Sequence, residues 1–282
     1  MTALFPQSFD HINSFFDHVY VLSLKRATNR HDQLQKNLKG LDWSFFWGVD
    51  KIELNEQNVL DTGIYDDSGH RSLKRTHRSM SLGEIACALS HRGIYQDILE
   101  KGYQNALILE DDVMPNPDAD AKFRNALVQL PQNWELLMLG YYSEKYAQFF
   151  SILQRQVYML YHYLNIANWQ KVERRYIRQM LMQRENEAWY RIGKLVGGHG
   201  YAVSRSACEK FIKLQTPIVL QADRIFSHLA LLGDLKAYGI KEKIFGLSKM
   251  AQTSYIEYPD LVEKISSLSG KSKTRRISKV TT

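Results

Sequence analysis

The sequence predicts an α/β protein with a mostly parallel central sheet flanked by helices, and three observations predict it. Ala106-Leu107-Ile108-Leu109 is an apolar run without alternation, as expected of a strand buried on both faces. Strand-like and helix-like stretches alternate from His18 to Gly140, the βαβα order that builds parallel sheets. The apolar run also passes straight into Glu110-Asp111-Asp112, which sets three carboxylates at the C-terminal sheet edge, where open α/β sheets keep their ligands.

Taken in order, His18 to Leu24 reads as a first strand rich in β-branched and aromatic residues. Thr28 is placed to cap the next helix, Leu34 and Leu38 supply its apolar stripe, and Gly40 ends it in a left-handed turn. Trp43 to Val49 gives a second strand. Residues 51–80 have little periodicity and many turn formers, so a long surface loop is expected, of the kind that often carries function. Ser81-Leu82-Gly83-Glu84 is a capping box that opens a helix reaching to Gly102. Cys87, His91 and Tyr95, spaced by four, share one face of it. After the acid-bearing strand and a further helix, Trp134 to Gly140 supplies another strand. A long helix is expected around 170–194, with Trp169, Val172, Tyr176, Met180 and Trp189 on its apolar side and Arg174, Arg175, Arg178 and Arg184 making it cationic. Such a helix lies on a membrane surface, clasps an acceptor, or packs on the sheet with a solvated charged face. Gly197 to Ser204 is a glycine-rich approach to a short strand, followed by a helix from Ser206. Gln221-Ala222-Asp223 begins the apolar helix Ile225 to Leu232.

Length and charge bound the partners. The 282 residues suit one large α/β domain with or without a small appendage. The N-terminus lacks the basic and apolar regions of a signal peptide, and 156–170 falls short of the ~20 apolar residues of a spanning helix, so a cytoplasmic or peripheral protein is expected. Cys87 and Cys208 are far apart and in no metal-ligand or redox spacing. The formal charge of +7 is concentrated in 68–80 and in the tail after Glu263, which favours anionic partners without choosing among nucleic acid, acidic lipid and a phosphorylated sugar. The tail 267–282 is expected to be disordered and is a candidate for contact with anionic membranes.

The acid triplet carries the chemistry. Three adjacent carboxylates repel one another unless a cation sits among them, and a divalent ion held by hard oxygen ligands is one answer. A solvated acidic turn closed by Pro115 and Pro117 is the other. Similarly, Asp223 either caps a helix or contributes to a site, and His91 reads as a structural histidine as well as a candidate for donor-side support.

Together the pieces form an ordered set: Tyr20-Val21-Leu22-Ser23-Leu24 with Arg26 and Arg30; Gly83 to His91; Glu110-Asp111-Asp112-Val113; Gly200-Tyr201-Ala202-Val203-Ser204-Arg205; and Asp223. Across roughly residues 18 to 253 this set resembles glycosyltransferase family 25, the lipooligosaccharide biosynthesis transferases related to collagen galactosyltransferases. The resemblance implies a GT-A type nucleotide-sugar fold over 1–266 with a helical insertion at about 141–195. It also implies a UDP-sugar donor with galactose favoured, a saccharide or glycolipid acceptor, Mn2+ at the acid motif and transfer with inversion. On that pattern Asp112 is the main metal ligand with Glu110 beside it. Arg26, Arg30, Glu110, Asp111 and His91 serve the donor, and His199, Gly200 and Tyr201 border the acceptor pocket. Asp223 is the general base, with His91 and His199 as competitors. The segment 141–195 carries no matched motif, and Gln221-Ala222 stands where the family often has proline before the aspartate. A metal-dependent phosphatase or nucleotidyltransferase would also set acids after a strand. A basic nucleic-acid-binding protein would explain the charge but not the carboxylates, and no nucleic acid partner is expected.

Overall fold

The computed structural model describes residues 8–74, 77–144 and 148–248. A short helix α1 (Asp10–Phe15) leads into β1 (His18–Ser23), α2 (Thr28–Asn37) and β2 (Ser44–Trp47). A 3-10 turn (Lys51–Glu53), α3 (Glu56–Asp61) and α4 (Asp67–Lys74) precede the long α5 (Leu82–Glu100). Then come β3 (Asn105–Glu110), β4 (Val113–Pro115), α6 (Ala119–Leu127), β5 (Leu136–Gly140) and β6 (Ser143–Glu144). The next segment holds α7 (Phe149–Tyr163), a 3-10 helix (Ile166–Lys171), α8 (Arg174–Gln179), β7 (Gln183–Arg184), β8 (Trp189–Arg191) and β9 (Leu195–Val196). The described chain ends with β10 (Gly200–Ser204), α9 (Arg205–Leu214), α10 (Arg224–Leu232), β11 (Ala237–Ile240) and β12 (Phe245–Leu247).

One sheet in the order β2-β1-β3-β10-β5-β11-β8-β7 runs through the molecule. Strands β1, β2, β3, β5, β11 and the edge strand β7 point one way, while β10 and β8 point the other. The expected α/β architecture, mostly parallel and flanked by helices, is therefore observed. Strand β3 lies between β1 and β10, and its alternate residues feed the two apolar layers. Ile108 joins Tyr20, Met138 and Tyr201 on one face, while Leu107 and Leu109 join Val21, Leu139 and Phe245 on the other. That two-sided burial explains the unbroken apolar run. The parallel register Leu22↔Glu110 brings the ends of β1 and β3 to the same edge, so Ser23 and the acids emerge together.

Capping chemistry holds α5 in place. Ser81 Oγ accepts from the Glu84 backbone N–H, and the Glu84 carboxylate accepts from Ser81 N–H, as the sequence leads one to expect. Thr28 is not the cap of α2; Ala27 occupies that position without a side-chain bond.

Two expected elements differ. The 51–80 stretch is not a plain loop, because Tyr65 organises it: its hydroxyl donates to Asp67 and accepts from Met80 N–H, which closes α3 and α4 over the N-terminal part of α5. The long helix around 170–194 is broken. Asn186 Oδ1 accepts from the Ala188 and Trp189 backbones, turning the chain into the β7–β8 hairpin, and the buried Trp189 indole donates to Ala126 O. Burial of the largest side chain against the sheet outweighs its place in a helical stripe. Residues 141–195 are thus not a purely helical insertion, since β8 and β7 extend the central sheet. The basic tail lies outside the described residues.

Candidate active site

A cleft of about 660 Å³ opens at the C-terminal edge of β1 and β3. Its walls come from the end of β1, the turn after β2, the first turns of α5, the acid triplet, Gly197-Gly198 before β10, and Gln221 to Arg224 at the start of α10. The sheet register delivers the acids, and α5 presents Gly83, Ala86, Cys87 and Ser90 on one face, small enough to leave the space open.

A cation does sit among the acids, and it is Arg30. Its guanidinium donates to Asp111 Oδ1 and lies 3.9 Å from Asp112 Oδ2, with the arginine only 6% exposed. Asp111 Oδ2 accepts from Ser23 Oγ at 2.7 Å, and the Ser23 hydroxyl also meets His31 Nε2 at 3.1 Å. Both Asp111 oxygens are therefore engaged by the protein, which makes Asp111 the clamp that fixes Arg30. Asp112 differs: its Oδ1 is buried and has no hydrogen-bond partner among the described residues. Burial, then repulsion from Asp111, pushes the Asp112 carboxyl up against the opposing pull of Arg30. Glu110 is driven well above the usual carboxylate range by burial first and then by Asp112, Asp111 and Asp223. One arginine thus leaves this cluster short of positive charge.

That shortage favours a divalent ion. Asp112 and Glu110 offer hard oxygen donors with unmet electrostatic demand, which suits such an ion. Among the described residues no group of three His, Cys, Asp or Glu side chains is arranged to hold a metal, so the remaining positions would fall to phosphate oxygens and water.

Across the cleft, Asp223 precedes α10 but makes no side-chain cap bond. Its Oδ2 instead accepts from Gly197 N–H at 3.0 Å, and Oδ1 lies 3.8 Å from Arg224 Nε. The capping explanation for Asp223 is therefore not met. Its carboxylate faces the same space as Asp112 and contributes to the field on Glu110.

Other expected residues are distributed unevenly. His91 lines the cleft and is held through Nδ1 to the Tyr201 hydroxyl at 2.6 Å. Burial lowers it to about 4, so it is neutral at pH 7 and supports the wall without adding charge. Arg26 is absent from the described lining; it pairs with Asp50, which does line the cleft and whose carboxyl Arg26 holds below the usual range. Tyr201 is core, its hydroxyl shared with His91 and Tyr95. Gly200 packs on Phe245 and Leu109. His199 is buried behind the wall with Nε2 donating to Phe245 O at 3.2 Å. Gly197 and Gly198, rather than residues 199 to 201, border the pocket.

Several lining residues escaped the sequence reading. Arg78 forms a two-point ion pair with Glu84, which also accepts from Gln221 Nε2. Burial raises the Glu84 carboxyl, but Arg78 and the Ser81 amide more than offset this and hold it below the usual range. The capping box pointed to Glu84; its pairing with Arg78 joins two segments and left no local signal. His70, whose Nδ1 donates to Val219 O at 2.9 Å, and Tyr142 also line the cleft.

The chain matches the model of a family described as glycosyltransferase family 25 (LPS biosynthesis protein) over residues 16–226. A glycosyltransferase 25 family member of Anopheles gambiae is 33% identical over 132 residues, covering 44% of this chain and 21% of that protein. Procollagen galactosyltransferase 2 of Homo sapiens is 27% identical over 134 residues, again 44% of this chain and 21% of that protein. The chain thus spans about a fifth of the length of these relatives. Among solved structures, mouse xyloside xylosyltransferase 1 in its apo form aligns with a TM-score of 0.37 and 10% identity, over 78% of this chain and 70% of that one.

Proposed function

Because the chain belongs to glycosyltransferase family 25, we propose that it is a GT-A type, metal-dependent, inverting transferase that moves a hexose from a UDP-sugar to a saccharide or glycolipid acceptor. Galactose is the favoured sugar, in keeping with a relative named for galactosyl transfer. The proposed setting is lipooligosaccharide or lipopolysaccharide assembly in the cytoplasm, with contact at the inner membrane. The single observation that carries the reading is Asp112 Oδ1, without a hydrogen-bond partner among the described residues, in a cleft that it shares with Asp223.

Asp112 and Glu110 would hold a divalent ion such as Mn2+. When bound, such an ion would supply positive charge against the departing diphosphate. Arg30, fixed by Asp111, keeps Asp112 in place and adds a positive charge at the same edge. Asp223 takes the proton from the acceptor hydroxyl as its oxygen bonds to the sugar's anomeric carbon and the bond to the diphosphate breaks. The Gly197 N–H holds Oδ2 of that carboxylate so that the group is oriented before substrate arrives.

Membrane contact draws on α7. Phe149 and Phe150 are 75% and 81% exposed, and Leu153, Val157, Leu160 and Leu164 continue an exposed stripe at helical spacing. Arg155, Lys171, Arg174 and Arg175 supply charge suited to an anionic surface. No described helix is long and apolar enough to cross a membrane.

The test is a screen of UDP-hexoses with Mn2+ against simple glycosides, reading UDP release and product mass. UDP release with a product heavier by one hexose is expected. Release of inorganic phosphate or pyrophosphate instead would make the protein a phosphatase or nucleotidyltransferase.

A further inference from the structure

We propose that Tyr142 is the platform on which the acceptor's sugar ring stacks, positioned by Gly197 and Asp223; the assignment of that sugar as acceptor rests on the transferase reading above.

Two adjacent tyrosines leave the end of β5 with different fates. Tyr141 turns inward, buried, and its hydroxyl donates to Ile240 O at 2.9 Å. Tyr142 turns into the cleft and is 55% exposed. Its ring is thus offered to the cleft that also holds Asp223.

Its support is specific. The ring lies directly on Gly197, where a Cβ would fall 1.9 Å from the Tyr142 Cδ2 atom, and Gly197 has φ +78. Both facts restrict that position to glycine. The His199 ring meets Tyr142 edge-on at 5.3 Å and 67°. Gly197 N–H in turn donates to Asp223 Oδ2 at 3.0 Å, so one residue links the aromatic ring to the carboxylate.

That pairing matches a pyranose. The C–H face of a sugar ring carries partial positive charge that complements the negative face of an aromatic ring, while its rim hydroxyls need acceptors such as a carboxylate. The arginine-clamped acids are held at the ends of β1 and β3, where Arg30 and Ser23 engage Asp111. The ring therefore belongs with the proposed base and serves the acceptor, and the nucleotide is left to the acid edge.

Saturation-transfer NMR with methyl β-galactopyranoside, methyl β-glucopyranoside and methyl N-acetyl-β-glucosaminide tests this directly. Calorimetry with UDP and Mn2+ on the same proteins reports the nucleotide site. At least one glycoside should bind the wild type through its ring protons. Its affinity should fall about tenfold in Tyr142→Ala and stay within about threefold in Tyr142→Phe and Tyr142→Trp, with UDP affinity unchanged. Binding that ignores Tyr142→Ala, no binding of any glycoside by wild type, or a loss of UDP affinity in place of sugar affinity would each overturn the proposal. If glycoside binding depends on Tyr142 yet no UDP-sugar is ever consumed, the transferase reading fails while the sugar platform stands.

Discussion

The acid edge and the α7 region solve opposite problems. At the acid edge, charge is buried and almost every polar atom is committed: Asp111 to Arg30 and Ser23, Glu84 to Arg78, Asp50 to Arg26. Along α7 no residue is buried, and the apolar stripe faces outward. Charge held inside by the fold is expensive unless a ligand completes it, and apolar surface left outside is expensive unless something covers it. On the proposed function the first region takes a small charged ligand and the second meets a broad surface.

The largest effect should come from the unpartnered carboxylate. Asp112→Asn keeps shape and removes charge, so transfer should fall about 1000-fold, the equivalent of several kcal/mol of metal-assisted stabilisation. The same change relieves repulsion, so the ligand-free protein should melt about 2–4 °C higher by calorimetry. Lower stability with normal turnover would make Asp112 a structural acid and dissolve the contrast between the two regions.

Asp223→Asn should cost about 100-fold or more in turnover while UDP affinity is retained. Normal turnover would move the base elsewhere, and His70 then becomes a candidate because it also lines the cleft.

Replacing Phe149, Phe150 and Leu153 together by serine should weaken binding to anionic phospholipid vesicles about tenfold while sparing turnover on a soluble glycoside. Loss of soluble-acceptor turnover in a folded variant would join α7 to the catalytic cleft and erase the proposed division.

The smallest effect concerns acid stability. His91 and His199 are both lowered from 6.5 to about 4 by burial, so between these values the unfolded chain binds protons that the folded chain does not. Their contribution is present above pH 6.5 and is lost as pH falls toward 4. Urea unfolding at pH 7 and pH 5 should show that loss. Glu110 and Asp112 act in the opposite sense, so Asp112→Asn should steepen the acid loss.

The two regions were not equally legible. Apolar runs, the capping box around Ser81 and the acids after β3 are local signals, and the expected sheet, helix α5 and placement of Glu110, Asp111 and Asp112 are observed. Arg30 could be named as a candidate, but not as the clamp on Asp111, because that pairing depends on how α2 returns to the β3 edge. Arg78 and Tyr142 needed contacts across the fold. Trp189 was misplaced because an aromatic residue at helical spacing has the same pattern as one anchoring a hairpin, and only Asn186 and the β11 edge decide between them.

The acid edge is proposed to bind a nucleoside diphosphate through a divalent ion at Asp112, and titration calorimetry of UDP reads that binding. Wild-type protein should bind UDP with Mn2+ and lose about tenfold or more in affinity with chelator, and Asp112→Asn should bind weakly with or without the ion. Equal UDP affinity in all four conditions would contradict it.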